Sequence, residues 1–235
     1  MANGLKNMKI FIDPGHGGSR PDTNISGSEI GTTGYSGYSI AEDNVFEKDI
    51  NLNISLYLQG LLQEAGANVE MSRRDDVAVS LEDRTNKANN FNPDLFISVH
   101  NNATTNSQVG GTMVLYPPRG RTDGTQELSQ IIANIISQKL GIEDLGAVLR
   151  EDLFVLNNTR VPAILVEGAF MTNPREEELL KSNQNQRLIA EGIVEGIEEF
   201  IEVNPDFPQK KRFNLTNLLL LGLLTGTGIY IYRKL

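Results

Sequence analysis

The sequence contains no cysteine and only two histidines, His16 and His100, among its 235 residues. Without cysteine there can be no disulfide, no thiolate metal ligand and no cysteine nucleophile. Any metal site in this chain must therefore be built from histidine and carboxylate side chains. Because so few imidazoles are available, both are candidates for a metal or catalytic site.

Positive charge is also scarce. The chain has 21 Lys and Arg against 30 Asp and Glu, a formal net charge of -9. Proteins that bind nucleic acids through the phosphate backbone need an excess of Lys and Arg, so nucleic acid is not an expected partner. A secretion signal is lacking as well, because Met1 to Lys9 contains no apolar run of the required length. Conventional secretion is not expected from such an N-terminus.

One long apolar run is present, at residues 215–232, and it contains no charged residue. As a helix it would be about 27 Å long at about 1.5 Å per residue, close to the thickness of a bilayer core. We predict a C-terminal transmembrane helix here; a helix packed on the domain is the alternative. Basic residues flank both ends, at 210–212 and 233–234, and leave its orientation open. Gly222 and Gly226 would allow a homodimer through close helix packing.

The rest of the chain divides into a domain and a tether. Residues 1–203 are long enough to bury one α/β core, and the composition of the whole chain, 39% apolar, is sufficient for it. Residues 204–214 contain two prolines and three cations, which interrupt helical periodicity and predict a short tether. Together with the span at 215–232, this organisation predicts a membrane-associated protein.

Apolar runs of strand length alternate with helical periodicity throughout residues 1–203. The predicted strands are Lys9 to Ile12, Asn68 to Met71, Leu95 to His100, Thr112 to Tyr116, Leu153 to Val155 and Ala163 to Val166. The predicted helices are Val45 to Ala65, Leu81 to Asn89, Thr125 to Leu140, Arg175 to Leu180 and Asn185 to Phe200. This alternation predicts a single three-layer α/β domain with a mostly parallel central sheet flanked by helices.

Each histidine comes at the end of an apolar strand. His16 lies in the glycine turn Asp13-Pro-Gly-His16-Gly-Gly, and His100 ends the run that begins at Leu95. Ligands of open α/β sheets gather at the carboxyl ends of the strands. A histidine in a glycine turn is equally typical of a structural hydrogen bond. Asp13 would either orient His16 or cap the turn.

Two glutamates occupy comparable places. Glu47 precedes Ile50 and Ile54 by three and seven residues, which puts it on the buried side of its helix, and Glu167 ends an apolar strand. A carboxylate in such a place needs a partner. Catalytic zinc is often held by two histidines and one glutamate, while a further group acts as general base. Either glutamate would fill either role.

Four segments carry a more specific signal. They read Asp13-Pro-Gly-His16-Gly-Gly, Glu47-Lys-Asp-Ile-Asn-Leu, Phe96-Ile-Ser-Val-His100-Asn-Asn-Ala and Leu165-Val-Glu167-Gly-Ala-Phe-Met-Thr-Asn-Pro. In this order, within a stretch from about Lys9 to Phe200, they resemble the zinc-dependent N-acetylmuramoyl-L-alanine amidases of the amidase type 3 family.

The resemblance implies that His16, Glu47 and His100 bind Zn2+ and that Glu167 is the catalytic carboxylate. It also implies a peptidoglycan substrate in the bacterial cell wall, cleaved at the amide between the lactyl group of muramic acid and L-alanine. The chain departs from the family pattern in the long insertion from Ser19 to Asp43. It also departs in lacking a signal peptide and a wall-binding repeat domain, and in carrying the predicted C-terminal span.

Several polar residues near these segments are candidate substrate contacts. Asn101 and Asn102 would bond either backbone or substrate, and Arg73, Arg84 and Arg150 would either meet the anionic stem peptide or form ion pairs. Two alternative functions share the same residues: a zinc peptidase that cuts within the stem peptide, and a catalytically silent, membrane-tethered wall-binding module. Phage lysis, sporulation and cell separation are all settings in which such a site would serve.

Overall fold

The computed structural model describes residues 3–18, 39–40 and 45–207. A six-stranded sheet lies at its centre. Its strands are β1 (Lys9–Pro14), β4 (Asn68–Met71), β5 (Leu95–Asn102), β6 (Thr112–Tyr116), β7 (Asp144–Leu149) and β8 (Ala163–Phe170). Two short strands, β2 (Ser39–Ile40) and β3 (Val45–Phe46), form a separate antiparallel pair.

The strands of the large sheet follow the order β4-β1-β5-β8-β6-β7. Every neighbouring pair is parallel except β6 and β8, which are antiparallel. The carboxyl ends of β1, β5 and β8 therefore meet at one edge of the sheet, and those of β6 and β7 lie at the opposite edge. The sheet is mixed, and the residues that follow β1 and end β5 come together at the first edge.

Helices connect the strands and cover the sheet. They are α1 (Glu47–Glu64), α2 (Leu81–Phe91), α3 (Gly120–Asp123), α4 (Thr125–Leu140), α5 (Phe154–Asn158), α6 (Pro174–Lys181) and α7 (Asn183–Val203), with a 3-10 turn at Asn3–Leu5. Side chains set several of their ends. Ser80 Oγ accepts the Asp83 N–H at 3.1 Å at the start of α2. Asn92 caps the other end of α2 and adopts a left-handed φ of 51°.

Apolar side chains form a separate core on each face of the sheet. On one face α1, α4 and α7 contribute fully buried residues such as Ile54, Ile132 and Ile193. On the other, α2 and α5 cover Phe11 and Phe96, whose rings stack at 5.9 Å. Each such side chain stabilises the fold by about 1.5–3 kcal/mol relative to an exposed one. Helices on both faces of a central sheet are the arrangement that the sequence predicts.

One predicted strand is wrong, and one observed strand was not predicted. The predicted strand Leu153 to Val155 is wrong, because α5 begins at Phe154 and places Val155 and Leu156 together in the second core. A three-residue apolar run does not distinguish a strand from a helical turn. The edge strand β7 was not predicted. Gly146 adopts a φ of 70° within it, and the register with β6 shifts just before Gly146, because Thr112 pairs with Asp144 and Met113 pairs with Gly146.

Some predictions fall on parts of the chain outside the described residues. These are the span at 215–232 with Gly222 and Gly226, the tether beyond residue 207, and the insertion from Ser19 to Asp43 apart from Ser39 and Ile40. Within the described ranges no helix combines the length and the apolar character that a membrane crossing requires.

Candidate metal centre

His16 lies in the turn that follows β1. The backbone N–H of Gly15 donates to the Val99 carbonyl on β5 at 2.9 Å and keeps the turn against the sheet. His16 then adopts a φ of 57°, a left-handed conformation that is uncommon for residues with a Cβ. Gly17 and Gly18 continue with φ of 130° and 68°, which explains the glycines after the histidine.

Glu47 is the first residue of α1, and its carboxylate lies between the two imidazoles. Its Oε2 is 3.2 Å from His16 Nε2, and its Oε1 is 3.0 Å from His100 Nδ1. The residue is only 5% exposed. Burial raises the pKa of Glu47, but the neighbouring His16 and His100 outweigh burial and hold it well below its usual range. Glu47 is therefore an ionised, buried carboxylate at neutral pH.

Amide groups complete the surroundings of Glu47. Asn51 Nδ2 donates to Glu47 Oε1 at 3.0 Å, and the backbone N–H of Asn101 donates to the same oxygen at 3.2 Å. The side chain of Asn101 in turn donates to Asn51 Oδ1 at 2.9 Å. Asn51 was not among the predicted residues. Its signal in the sequence is the spacing of four from Glu47, which puts both on one helix face.

Glu167 is the register partner of His100 in the parallel pair of β5 and β8. Residues opposite each other on neighbouring strands extend to the same face of a sheet, so the carboxylate and the imidazole share that face. The Oε2 atom of Glu167 is buried and has no hydrogen-bond partner among the described residues. Burial, followed by the negative charge of Glu47, raises the pKa of Glu167 well above its usual range.

His16, Glu47 and His100 form a set whose ligand atoms all lie within 4.8 Å of one another. Three ligands held tetrahedrally at about 2.0–2.1 Å from a zinc ion would be separated by about 3.3–3.4 Å. Each imidazole is near that spacing from one oxygen of Glu47: His16 Nε2 is 3.2 Å from Oε2, and His100 Nδ1 is 3.0 Å from Oε1. Two imidazoles and one carboxylate also match the ligand types that catalytic zinc prefers. The residues present therefore fit a zinc ion.

The other predicted residues make internal contacts in the structure. Asn101 is buried, and Asn102 accepts the Ala103 N–H at 2.8 Å. The guanidinium of Arg73 is buried and donates to main-chain carbonyls. Arg150 is the most exposed of the three predicted arginines, and its Nε lies 2.8 Å from Asp152 Oδ1.

Asp13 belongs to a buried ion pair. Its Oδ1 accepts hydrogen bonds from Arg84 Nη1 at 2.7 Å and from Ser72 Oγ at 2.5 Å, and its Oδ2 accepts one from Ser98 Oγ at 3.1 Å. Asp13 therefore pairs with Arg84 instead of orienting His16 or capping the turn. For Arg84, the structure shows the ion pair that the sequence offered as an alternative to a substrate contact. The contacts of the two serines with Asp13 were not predicted from the sequence.

Comparison with known proteins is consistent with this geometry. A family model described as N-acetylmuramoyl-L-alanine amidase matches residues 10–199. The chain belongs to this amidase family. The match spans all four segments that carry the resemblance in sequence, and it confirms the family predicted from them.

Relatives and solved structures of the amidase family show the same extent of similarity. The probable cell wall amidase LytH of Staphylococcus epidermidis is 31% identical over 199 residues, which are 85% of this chain and 60% of that protein. The chain thus spans about 60% of the length of this relative. The uncharacterized protein YqiI of Bacillus subtilis is 31% identical over 201 residues, covering 86% of this chain and 88% of YqiI.

Two solved structures have the same fold. The N-acetylmuramoyl-L-alanine amidase of Clostridium difficile 630 is 34% identical, with a TM-score of 0.73 over 84% of this chain and 98% of that one. The CwlD amidase of Clostridioides difficile, solved in complex with the GerS lipoprotein, is 27% identical, with a TM-score of 0.73 over 84% of this chain and 100% of CwlD. The amidase fold therefore accounts for nearly all of the described residues.

Proposed function

We propose that this protein hydrolyses the amide that joins N-acetylmuramic acid to L-alanine in peptidoglycan. In this proposal His16, Glu47 and His100 hold a zinc ion, and Glu167 is the catalytic carboxylate. Membership of the amidase family supports the reaction class. The observation that carries the assignment of Glu167 is its buried Oε2, which has no hydrogen-bond partner among the described residues and belongs to the register partner of His100.

Zinc, when bound, would polarise the substrate carbonyl and lower the pKa of water toward about 7. The protein supplies the ligands and their orientation. Asn51 and the backbone of Asn101 both donate to Oε1 of Glu47, which restricts the rotation of this carboxylate relative to His16 and His100. Such supporting hydrogen bonds set the orientation of metal ligands.

Glu167 would carry the proton during hydrolysis. As the water oxygen forms a bond to the amide carbon, the Glu167 carboxylate accepts a proton from that water. When the C–N bond breaks, the same carboxyl group donates the proton to the leaving nitrogen. The products are the lactyl carboxylic acid, which keeps the second proton of the water until it ionises, and the free amino group of L-alanine. A carboxyl group whose pKa is raised by burial is suited to both halves of this transfer.

A membrane anchor is a separate proposal that rests on the sequence. Residues 215–232 would hold the enzyme at a lipid bilayer, with a homodimer through Gly222 and Gly226 as a further consequence. Membrane fractionation combined with protease accessibility tests the anchor and its orientation. Recovery of the full-length chain as a soluble monomer would contradict both.

Digestion of purified peptidoglycan by the full-length chain tests the reaction. New amino termini are identified and counted with added zinc, with a chelator, and with Glu167→Gln. We expect L-alanine termini in the zinc-supplemented wild type, their loss with chelator, and a rate lower by about 10²–10⁴-fold in Glu167→Gln. Glu178→Gln is the matched control, because it makes the same change at a side chain that is 74% exposed.

Other outcomes distinguish the alternatives. Termini other than L-alanine would support a peptidase that cuts within the stem peptide. If no termini appear in any condition while the protein still sediments with peptidoglycan, the wall-binding module is the better description. Equal rates for wild type and Glu167→Gln would remove Glu167 from the proposed mechanism while leaving the amidase activity in place.

A further inference from the structure

Arg73 lies between the two chain segments that carry His16 and Glu47. The residue is 3% exposed. Its Nη2 donates to the carbonyl of Gly15 at 2.8 Å and to the carbonyl of Lys48 at 2.7 Å. Gly15 directly precedes His16, and Lys48 directly follows Glu47. One nitrogen of one guanidinium therefore binds the backbone next to both residues.

The remaining hydrogen bonds of Arg73 strengthen this bridge. Its Nε donates to the Pro14 carbonyl at 3.0 Å, and its Nη1 donates to the Asp75 carbonyl at 3.2 Å. Burial and the neighbouring Arg84 lower the pKa of Arg73 to about 10, so the side chain remains a cation at neutral pH. The guanidinium thus donates to four main-chain carbonyls of the protein itself, which leaves it poorly placed to bind a substrate.

The His16 turn requires support because of its conformation. A residue with a Cβ at a φ of 57° is disfavoured in an unsupported turn. Arg84 contributes by donating to the Pro14 carbonyl at 2.7 Å and to the His16 carbonyl at 2.6 Å. Arg73 adds the connection from this turn to the first turn of α1.

We propose that Arg73 is a positioning residue that sets the separation of His16 from Glu47 and thereby the affinity of the site for zinc. The inference rests on the proposed function, since it assumes that these residues hold the metal. It replaces the substrate contact predicted for Arg73 from the sequence. Lysine cannot substitute, because an ammonium group lacks the planar, multidirectional donors that reach carbonyls on two segments.

Arg73→Lys in the full-length chain tests the proposal. Zinc affinity is measured by competition with a chromogenic chelator, and the visible absorption of the Co2+-substituted protein reports ligand geometry. We expect zinc affinity to fall by about 10–100-fold and the Co2+ spectrum to change. At saturating zinc, KM for peptidoglycan fragments should stay at the wild-type value, because Arg73 does not contact the substrate in this interpretation.

Arg119→Lys is the matched control. Like Arg73, Arg119 donates to a main-chain carbonyl, that of Val161, from its Nη2 at 2.8 Å. It is only partly buried, and it follows β6 at the opposite edge of the sheet. We expect this variant to bind zinc like the wild type. If Arg73→Lys fails to fold, Arg73→Gln is examined in a Gly60→Ala background, because an alanine in the middle of α1 adds helix stability.

Three results would overturn the proposal, and they are distinguishable. Wild-type zinc affinity and an unchanged Co2+ spectrum in a folded Arg73 variant would show that the bridge does not position the ligands. Unchanged zinc affinity with a raised KM would restore the substrate contact. Failure of the wild-type chain itself to bind zinc would remove the proposed metal site, and the inference with it.

Discussion

Replacing Gly15 by alanine tests whether His100 must lie where the structure places it. A Cβ on Gly15 would be 2.2 Å from Cε1 and 2.3 Å from Nε2 of the His100 ring, whereas ordinary contact begins at 3.4 Å. Gly15 is not among the residues with positive φ, so alanine introduces no backbone strain of its own. The substitution therefore acts on the imidazole.

The size of the effect follows from these distances. To reach ordinary contact, the nearest ring atom has to move by about 1.2 Å. Such a shift disrupts the 3.0 Å approach of His100 Nδ1 to Glu47. Misplacement by about 1 Å near a reacting centre lowers rates by about 10²-fold. We expect Gly15→Ala to lose about that much kcat/KM and to bind zinc at least about 10-fold more weakly.

The fold should survive, because the side chain of His100 is 19% exposed and can swing toward solvent. Thermal unfolding in chelator should shift by less than about 4 °C, the equivalent of about 1 kcal/mol for a domain of this size. Gly60→Ala is the control: a Cβ there has nothing within 4 Å, and an alanine in a helix stabilises by about 0.5–1 kcal/mol. If Gly15→Ala binds zinc and releases L-alanine termini like the wild type, the position of His100 in the structure is not the functional one.

Three further predictions concern stability. Asp13→Asn should destabilise the protein by about 3–5 kcal/mol in urea titrations, because it removes the negative charge that pairs with the buried guanidinium of Arg84. Burial raises the pKa of Asp13, but Arg84 and Ser72 outweigh burial and lower it. The stability from this ion pair is therefore present above about pH 4 and is lost as the pH falls. The urea midpoint of the wild type should accordingly fall more steeply with acid than that of Asp13→Asn. Leu58→Ala, at a fully buried position, should lower the free energy of unfolding by about 2–5 kcal/mol. Leu56→Ala, at a side chain that is 40% exposed, should change it by no more than about 0.5 kcal/mol. Similar losses of stability in both variants would contradict the assigned buried face of α1. Glu167→Gln should raise the melting temperature of the metal-free protein by at least about 2 °C. Burial and the charge of Glu47 raise the pKa of Glu167, so this carboxyl group is less stable in the folded protein than in the unfolded chain at neutral pH, and glutamine removes that cost. A lower melting temperature would mean that Glu167 has a stabilising partner.

Local patterns were sufficient for the elements that build the site. Glycines after an apolar run marked the turn of His16, and the spacing of Glu47 to Ile50 and Ile54 predicted its burial, which the structure confirms at 5% exposure. Helix Thr125–Leu140 begins and ends where its periodicity predicted. These signals are all contained within a few turns of the chain.

The features that the sequence did not reveal depend on distant partners. The acceptors of Arg73 are main-chain carbonyls, which leave no trace in residue identity, so the sequence left its role open between a substrate contact and an ion pair. β7 depends on pairing with β6 for its assignment, since Gly146 interrupts its pattern. The reversal of β6 against β8 likewise follows from packing of the whole sheet.

The candidate centre draws its residues from both ends of the domain, with His16 after the first strand and Glu167 in the last. A chain synthesised only as far as β7 therefore lacks Glu167. If zinc binds the native state and not the unfolded chain, it would add about 2.7 kcal/mol of stability at a free concentration 100 times its Kd. If Glu167 is the catalytic carboxylate, as proposed, hydrolysis would become possible only after β8 has been synthesised and has paired with β5.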